Sequence, residues 1–327
     1  MKTRMGHFGW ILVLLLSSVL WAGFASAQEA NYPTKPITLI VPYGPGGIVD
    51  VGARIFVDSL SKELKVPVII SNRPGGSGIV GAQAMLNASP NGYTLLATAG
   101  ASIIAAVQLS KELPFDPRKD MAPIAYIADA PVAMSISKNT PINSFAELVQ
   151  YGLANPGKLR GGTAGIGSEP DIMLRTFLKS TKIRSKVVPY PAVGPLVTAI
   201  LGGHLDWMTL SLPATRAYHK SGDVKIVLLT RRSSDFPNVP SGADAGYPDI
   251  SVSTWMGLMA GAKTPKPIID RLTAAAAAAS KDHEVVKKLS DAGFSVDFKG
   301  PDALSKIVAS QWDIFAEVLK EADMKPE

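Results

Sequence analysis

The chain contains no cysteine, and this absence excludes several kinds of chemistry. Without a thiol there is no cysteine nucleophile, no cysteine-ligated metal and no disulfide that stabilises the fold. A lipoprotein signal, which needs a cysteine at its cleavage site, is excluded as well. Histidine is also scarce, and the four residues of this type are His7, His204, His219 and His283.

Charged residues are few as well. They make up 18% of the 327 residues against 46% hydrophobic ones, which excludes a disordered chain and a coiled coil. Mean hydropathy is only +0.18 with one long apolar run, so a polytopic membrane protein is excluded too. The net charge is +6; without Lys2 and Arg4, 31 basic residues face 27 acidic ones and leave +4. These positive charges are scattered, which argues against nucleic acid as a partner.

The long apolar run lies at the N-terminus. Met1–Arg4 is a short positive region, Trp10–Phe24 is almost entirely apolar, and Ala25–Ala27 has the small-x-small pattern. This order predicts a secretory signal peptide over residues 1–27, cleaved after Ala27, and a mature chain that starts at Gln28 and lies in the periplasm. The alternative is an uncleaved anchor helix, for which the run is marginally short.

Strand-like apolar runs alternate with helix-like stretches through the rest of the chain. Repetition of strand and helix with short loops predicts parallel α/β sheets, and the length suits two such units. The predicted strands are Ile37–Pro42, Val66–Ile70, Tyr93–Thr98, Ile124–Ser137, Leu159–Thr163, Lys186–Tyr190, Leu205–Leu210, Val224–Thr230 and Val252–Ala260. The predicted helices are Val49–Leu64, Ile79–Ala88, Ser144–Ala154, Pro170–Ser180, Leu196–Leu201, Lys266–Lys281, His283–Ala292 and Pro301–Ala322.

Glycine-rich turns follow four of the predicted strands. Glycine lets backbone donors approach a ligand closely, and a helix N-terminus carries about half a positive charge. Any one of these turns is explained by a tight connection alone. All four nevertheless lie at the carboxyl ends of strands, where open α/β sheets bind ligands, so together they predict an anion site without Arg or Lys. The turns are Gly44–Gly47, Gly75–Gly78, Gly161–Ser168 and Tyr190–Gly194.

Two further patterns suggest enzyme chemistry and are not favoured. Gly76–Gly81 matches G-x-G-x-x-G, but the next strand ends in Thr98–Ala101 without the carboxylate that a dinucleotide fold needs. His204 and Asp206 share one face of a strand, but neither a third metal ligand nor a nucleophile accompanies them. A cofactor-dependent oxidoreductase and a periplasmic hydrolase therefore remain as alternatives, while we expect no enzyme activity, no cofactor and no metal.

Eight segments of the chain, in order, carry a resemblance to a known family. They are YPTKPITLIVPYGPGGIVD (32–50), VPVIISNRPGGSGIVGA (66–82), NGYTLL (91–96), LPFDPRKDMAPIA (113–125), NPGKL (155–159), VPYPAVGPLVTAILGGHLDW (188–207), FPNVPSGADAGYP (236–248) and TWMGLMAGAKTPKPIIDRL (254–272). On these segments the chain resembles the Bug-type periplasmic solute receptors of tripartite tricarboxylate transporters. The resemblance covers essentially the whole predicted mature chain.

The resemblance implies a fold and a function. The implied fold is a two-lobed class-II periplasmic-binding-protein clamshell, each lobe a mostly parallel sheet flanked by helices. Lobe 1 would comprise residues 28–125 and 250–327, and lobe 2 residues 126–249. The implied protein is a monomer that captures a small organic di- or monocarboxylate, aromatic acids included, and delivers it to the permease subunits of the transporter. The alternative within the family is a receptor that presents the ligand to a sensor kinase.

The family's ligand loops also imply a set of binding residues, which act largely through backbone donors. Ile48 and Val49 stand where family members often have hydroxyl residues, and Ala192–Gly194 replaces the usual Lys-Gly. These departures favour an aromatic or medium-chain aliphatic acid over citrate. The implied residues are Tyr43, Gly46, Gly47, Ile48, Asp50, Thr98, Ala101 and Ser102 in lobe 1, and Thr163, Gly165, Ile166, Gly167, Ser168, Tyr190, Ala192, Val193 and Asp206 in lobe 2.

Overall fold

The structure is a computed structural model that describes residues 31–321. The predicted signal peptide lies outside the described residues. Ten strands occur in the described range, and every strand predicted from the sequence is among them within a few residues. The strands are β1 (Ile37–Val41), β2 (Val68–Asn72), β3 (Thr94–Thr98), β4 (Met121–Ser137), β5 (Arg160–Ala164), β6 (Lys186–Tyr190), β7 (Trp207–Ser211), β8 (Val224–Leu229), β9 (Ser253–Gly261) and β10 (Ser295–Lys299).

Twelve α-helices occupy the same described range, and the eight predicted helices are all present. They are α1 (Ile48–Leu64), α2 (Ile79–Leu86), α3 (Gly100–Ile103), α4 (Ala105–Gln108), α5 (Pro117–Asp120), α6 (Phe145–Ala154), α7 (Glu169–Thr181), α8 (Val193–Leu201), α9 (Leu212–Lys220), α10 (Lys266–Ala279), α11 (His283–Asp291) and α12 (Pro301–Glu321). The sequence patterns did not indicate α3, α4, α5, α9 or β10. Pro213 lies in the first turn of α9, where its missing N–H interrupts no helical hydrogen bond.

The strands form two groups that share β4. In lobe 1, β1 pairs in parallel with β2 and β3, while β9 and β10 add antiparallel partners. In lobe 2, β5 pairs in parallel with β6 and β7, while β8 is antiparallel to β4. Helices cover both groups of strands, so the predicted two-lobed α/β fold is confirmed.

Strand β4 connects the two lobes. Its first part, Met121–Pro131, pairs with β9, and its second part, Val132–Ser137, pairs with β7 and β8. All but three of its 17 residues are buried, because neighbours cover it throughout its length. The exchange of partners falls a few residues beyond the predicted crossing at Ala125. The proposed lobe boundaries at 125/126 and 249/250 stay a prediction.

A glycine in β5 makes room for the largest buried side chain of lobe 2. A Cβ at Gly161 would lie 2.5 Å from Cζ2 of Trp207, which is fully buried. The indole also packs edge-on against Phe177, with ring centroids 5.2 Å apart, so it has little freedom to move away.

We expect Gly161→Ala to lower the free energy of unfolding by about 1–3 kcal/mol, the usual cost of overpacking a core. Urea denaturation followed by circular dichroism measures this change. Gly300→Ala is the matched control, because a Cβ there meets no atom within 4 Å. Equal unfolding midpoints for the two variants would contradict the prediction.

Candidate ligand-binding cleft

The loop after β1 presents free backbone donors at the carboxyl edge of the lobe 1 sheet. Helix α1 begins at Ile48, and its N-cap, Gly47, has no side chain to accept a hydrogen bond. The amides of Gly47, Ile48 and Val49 accordingly have no hydrogen-bond partner within residues 31–321. A helix of 17 residues adds the positive end of its dipole at this point. This loop can bind an anion through its backbone.

Asp50 holds that loop in shape. Its Oδ2 accepts hydrogen bonds from the amide of Gly46 (3.1 Å) and from Nε of Arg54 (2.9 Å). Its Oδ1 accepts one from Nδ2 of Asn72 (2.8 Å). Burial would raise the pKa of Asp50, but these hydrogen bonds outweigh it, and the pKa lies below its ordinary value. Because both oxygens accept hydrogen bonds, the carboxylate holds the loop in position.

Lobe 2 repeats this arrangement in the loop after β5. The amide of Gly167 donates to Oδ2 of Asp171 (2.9 Å), which also accepts from Nε of Arg175 (3.0 Å). The spacing of glycine, aspartate and arginine, four residues apart each, is the same as in lobe 1. The hydroxyl of Ser168 caps α7, accepting from the amide of Asp171 at 3.3 Å and donating to the carbonyl of Ala164 at 2.8 Å. The sequence analysis named Asp50 but not Asp171.

A second uncapped helix start lies beside this loop. Helix α8 begins at Val193, and Ala192 at its N-cap offers no side-chain acceptor. The amides of Val193 and Gly194 have no hydrogen-bond partner in the described part of the chain. The amide of Gly165 donates to the carbonyl of Tyr190 (2.8 Å), which ties the two loops together.

Two further predicted residues of lobe 2 border the same loops. Thr163 is fully buried at the end of β5, and its hydroxyl has no partner among the described residues. Ile166 is exposed at the tip of the loop between β5 and α7. The lobe 2 residues thus combine free backbone donors with an apolar tip.

The predicted hydroxyl groups of lobe 1 bond to one another. The hydroxyls of Thr98 and Ser102 lie 2.6 Å apart, and that of Ser102 also donates to the carbonyl of Ala99 (3.0 Å). Burial raises the pKa of Tyr43, whose phenol hydrogen-bonds to Ser102. Thr98 and Ser102 are completely buried, so their hydroxyls bond within lobe 1.

The two lobes meet at Glu169, which sequence analysis missed. This residue opens α7 in lobe 2, and its Oε1 accepts a hydrogen bond from the amide of Ala101 in lobe 1 (2.9 Å). Burial raises the pKa of the Glu169 carboxyl to about 7, and backbone hydrogen bonds oppose this only in part. Ile172, on the next turn, joins an apolar cluster with Ile103 of lobe 1. An acidic residue in a first helical turn is usual, so only the fold shows where Glu169 points.

Asp206 is the predicted residue that the structure does not bring to this cleft. In the register of β5 and β7, Thr209 lies beside Thr163, whereas Asp206 precedes β7 at the amino ends of these strands. There it accepts hydrogen bonds from the amide of Arg160 (2.8 Å) and from its guanidinium (2.7 Å). Three residues of strand separate it from the level of Thr163, about 10 Å. Asp206 therefore links β5 and β7 at the amino edge of the sheet, opposite the edge that carries the candidate site.

Other features of the described residues lie apart from the cleft. A groove of about 870 Å³ in lobe 2 is lined by side chains such as Phe145 and Tyr247, and by none of the predicted ligand-binding residues. Within residues 31–321 there is no group of three acidic or histidine side chains placed to hold a metal ion. None of the helices in this range is both long and apolar enough to cross a membrane.

Comparison with known proteins identifies the family. Residues 52–324 match the profile of the tripartite tricarboxylate transporter family receptor, TctC. The chain belongs to this family. The TctC-type chain is 29% identical over 319 residues to BugT of Bordetella pertussis strain Tohama I, which covers 96% of this chain and 98% of that protein. The family expected from the sequence is thereby confirmed.

Solved structures of similar proteins agree with the TctC-type fold. R. palustris Rpa4515 with adipate is 26% identical, with a TM-score of 0.86 over 91% of this chain and 100% of that one. MatC (Rpa3494) of Rhodopseudomonas palustris with bound malate is 28% identical, with a TM-score of 0.80 over 88% of this chain and 100% of that one. The role of each predicted ligand-binding residue in this chain stays a prediction.

Proposed function

We propose that this protein is a periplasmic receptor that captures a small organic carboxylate between its lobes and delivers it to the membrane subunits of a tripartite transporter. One observation carries the proposal. Helix α1 of lobe 1 and helix α8 of lobe 2 both start without a side-chain cap, and the amides of Ile48 and Val193 have no partner among the described residues. Family membership and the adipate and malate bound by Rpa4515 and MatC support the same ligand class.

Backbone donors from both lobes explain how a ligand would favour closure. A carboxylate accepts charge-assisted hydrogen bonds from free amides, which are stronger than those between neutral groups. A ligand that reaches the donors of both lobes makes contacts that exist only when the lobes are together, so it shifts the population towards the closed state. The membrane subunits would then recognise that closed state.

The side chains around these donors favour a ligand with an apolar body. Ile48 and Val193, which begin the two helices, are half-buried, and Ile166 is exposed at the tip of the neighbouring loop. None of the three offers a hydroxyl or an amide side chain. We therefore infer an aromatic or medium-chain aliphatic acid in preference to citrate.

Isothermal titration and thermal-shift measurements with hexanoate, adipate, benzoate, malate and citrate test this function. We expect at least one aliphatic or aromatic acid to bind about 10-fold or more tightly than citrate, because apolar contacts add to the carboxylate bonds. Hexanamide and benzamide are the matched controls, and loss of the charged hydrogen bonds weakens them by about 10- to 100-fold. An absence of binding across all five acids would refute the proposed ligand class.

The proposal includes export and maturation. The mature chain begins at Gln28 after removal of residues 1–27 and acts as a monomer in the periplasm. Intact-mass measurement of the protein secreted to the periplasm, with light scattering for its oligomeric state, checks both points. A mass that retains Trp10–Phe24 would support the membrane-anchor alternative instead.

A further inference from the structure

We propose that Glu169 is a specificity-determining residue of the cleft, which admits acids with one carboxylate and excludes acids with a second carboxylate at the other end of the molecule. This inference rests on the proposed function, because it concerns the ligand of the same cleft. The side chain leaves α7 in lobe 2 and reaches across to the amide of Ala101 in lobe 1. Only 3% of Glu169 is exposed, so its carboxyl group is held between the lobes.

No basic side chain among the described residues pairs with Glu169. A Cβ at Gly100 would lie 3.4 Å from Oε1 of Glu169 and 2.9 Å from Nε1 of Trp255, so the missing side chain leaves room for both. That indole donates its hydrogen bond to Gln311 (2.8 Å) and not to the carboxylate. Tyr43 lies on another side, where the charge of Glu169 helps to raise the pKa of its phenol. Burial and two backbone amides determine the pKa of Glu169, and no basic side chain of residues 31–321 contributes to it.

The position of Glu169 determines which protein group the far end of a bound ligand contacts. Tyr43, whose phenol is affected by the charge of Glu169, belongs to the loop that leads to the free amides of Gly47 and Ile48, so we place the far end of a ligand bound there towards Glu169. A second ligand carboxylate would face an unpaired carboxylate in a buried site, where like charges repel strongly. The amide of Ala101 on that side is already engaged by Glu169. An uncharged ligand end meets neither obstacle.

Matched acids that differ by one carboxylate test the inference. Titration calorimetry at about pH 8, where Glu169 is charged, compares hexanoate with adipate and benzoate with terephthalate in the wild type, Glu169→Gln and Glu169→Asp. We expect the wild type to bind the monocarboxylate of at least one pair about 10-fold or more tightly. Glu169→Gln has the same size without the charge and should reduce this preference by about 10-fold, through tighter binding of the dicarboxylate. Glu169→Asp keeps the charge and should keep the preference.

Several results would overturn the inference. The inference is wrong if the wild type binds adipate with the affinity of hexanoate and terephthalate with the affinity of benzoate. It is also wrong if Glu169→Gln changes the affinities for both members of a pair by the same factor. If the wild type binds neither member of either pair, gain of dicarboxylate binding in Glu169→Gln still supports the inference, and its absence overturns it. If Glu169→Gln gains no dicarboxylate binding but the protein binds malate or citrate, the inference fails and the proposed function stands. If the protein binds none of the acids, the inference and the proposed function both fail. Melting temperatures confirm that each variant is folded.

Acidification provides a second readout of the charge. Tyr43 is the titratable group that faces Glu169 from lobe 1, and Asp171 on its own helix is paired with Arg175. With a Glu169 pKa of about 7, lowering the pH from about 8 to 6 protonates the side chain and removes the repulsion. The affinity of the wild type for adipate relative to hexanoate should then rise several-fold, and that of Glu169→Gln should stay constant. A rise of equal size in Glu169→Gln would contradict the inference.

Discussion

A disulfide formed by Ala105→Cys and Gly167→Cys is expected to hold the lobes together and to slow ligand association by about 100-fold or more, because only an open form admits a ligand. A Cβ at Gly167 would lie 3.4 Å from Cβ of Ala105, close to the separation of about 3.5–4.5 Å that a disulfide needs. The bond would join α4 of lobe 1 to the loop after β5 in lobe 2. Stopped-flow fluorescence with a binding acid measures the rate before and after reduction.

The chain suits this experiment because it has no cysteine of its own, so the pair forms without competing thiols. Gly167 has a φ of +72°, and a cysteine there costs about 1–2 kcal/mol, while the tip of Leu109 has to shift. The two single-cysteine variants carry the same costs without the bond and are the controls. An oxidised double variant that exchanges ligand at the rate of its reduced form would show that the lobes do not need to part there.

Proline at the first position of α1 or α8 is expected to weaken carboxylate binding by about 10- to 100-fold at each helix, because it removes one backbone donor to a charged group. Ile48→Pro and Val193→Pro are the two changes. Proline is favoured at the first helical position, so the helices should still form. The preceding residues have the extended backbone that proline requires, with φ −73° and ψ 166° at Gly47 and φ −157° and ψ 168° at Ala192.

Alanine at the same positions provides the matched controls. Ile48→Ala and Val193→Ala remove the side chains and keep the N–H groups, so they should lose only the apolar contacts, a change of about 10-fold or less. Calorimetric dissociation constants for all four variants, with melting temperatures, separate donor loss from unfolding. If each proline variant binds as well as its alanine partner, a backbone amide at that position does not hold the ligand.

Local patterns predicted most of the elements of this protein. The bounds of β6, Lys186–Tyr190, agree with the prediction, and α1 and β1 differ from it by one residue. These segments have an apolar periodicity that few alternatives satisfy. The elements that the patterns did not indicate are short, such as α3 and α4, or lie in polar sequence, such as α9 and β10. Their formation depends on neighbours that are distant along the chain.

The candidate site, like the fold, was predicted from the sequence only in part. The glycine turns were predicted because the carboxyl ends of parallel strands share one edge of a sheet. The helices after two of them were predicted to begin at Val49 and Leu196, and they begin at Ile48 and Val193. Asp206 was placed with them because the resemblance to the solute-receptor family implied it. Its position depends on the register of β5 against β7, which puts Arg160 and not Thr163 beside it. Sequence spacing does not contain that register.

The sequence by itself determined the family, the alternation of strands and helices, and the class of loop that offers backbone donors, because each follows from contiguous residues and their periodicity. The tertiary structure alone decided which side chains from different lobes lie together. Glu169 and Ala101 are 68 residues apart in the chain, yet Oε1 of Glu169 lies 2.9 Å from the amide nitrogen of Ala101. Burial between two lobes, and not the residue type, gives this carboxyl its raised pKa.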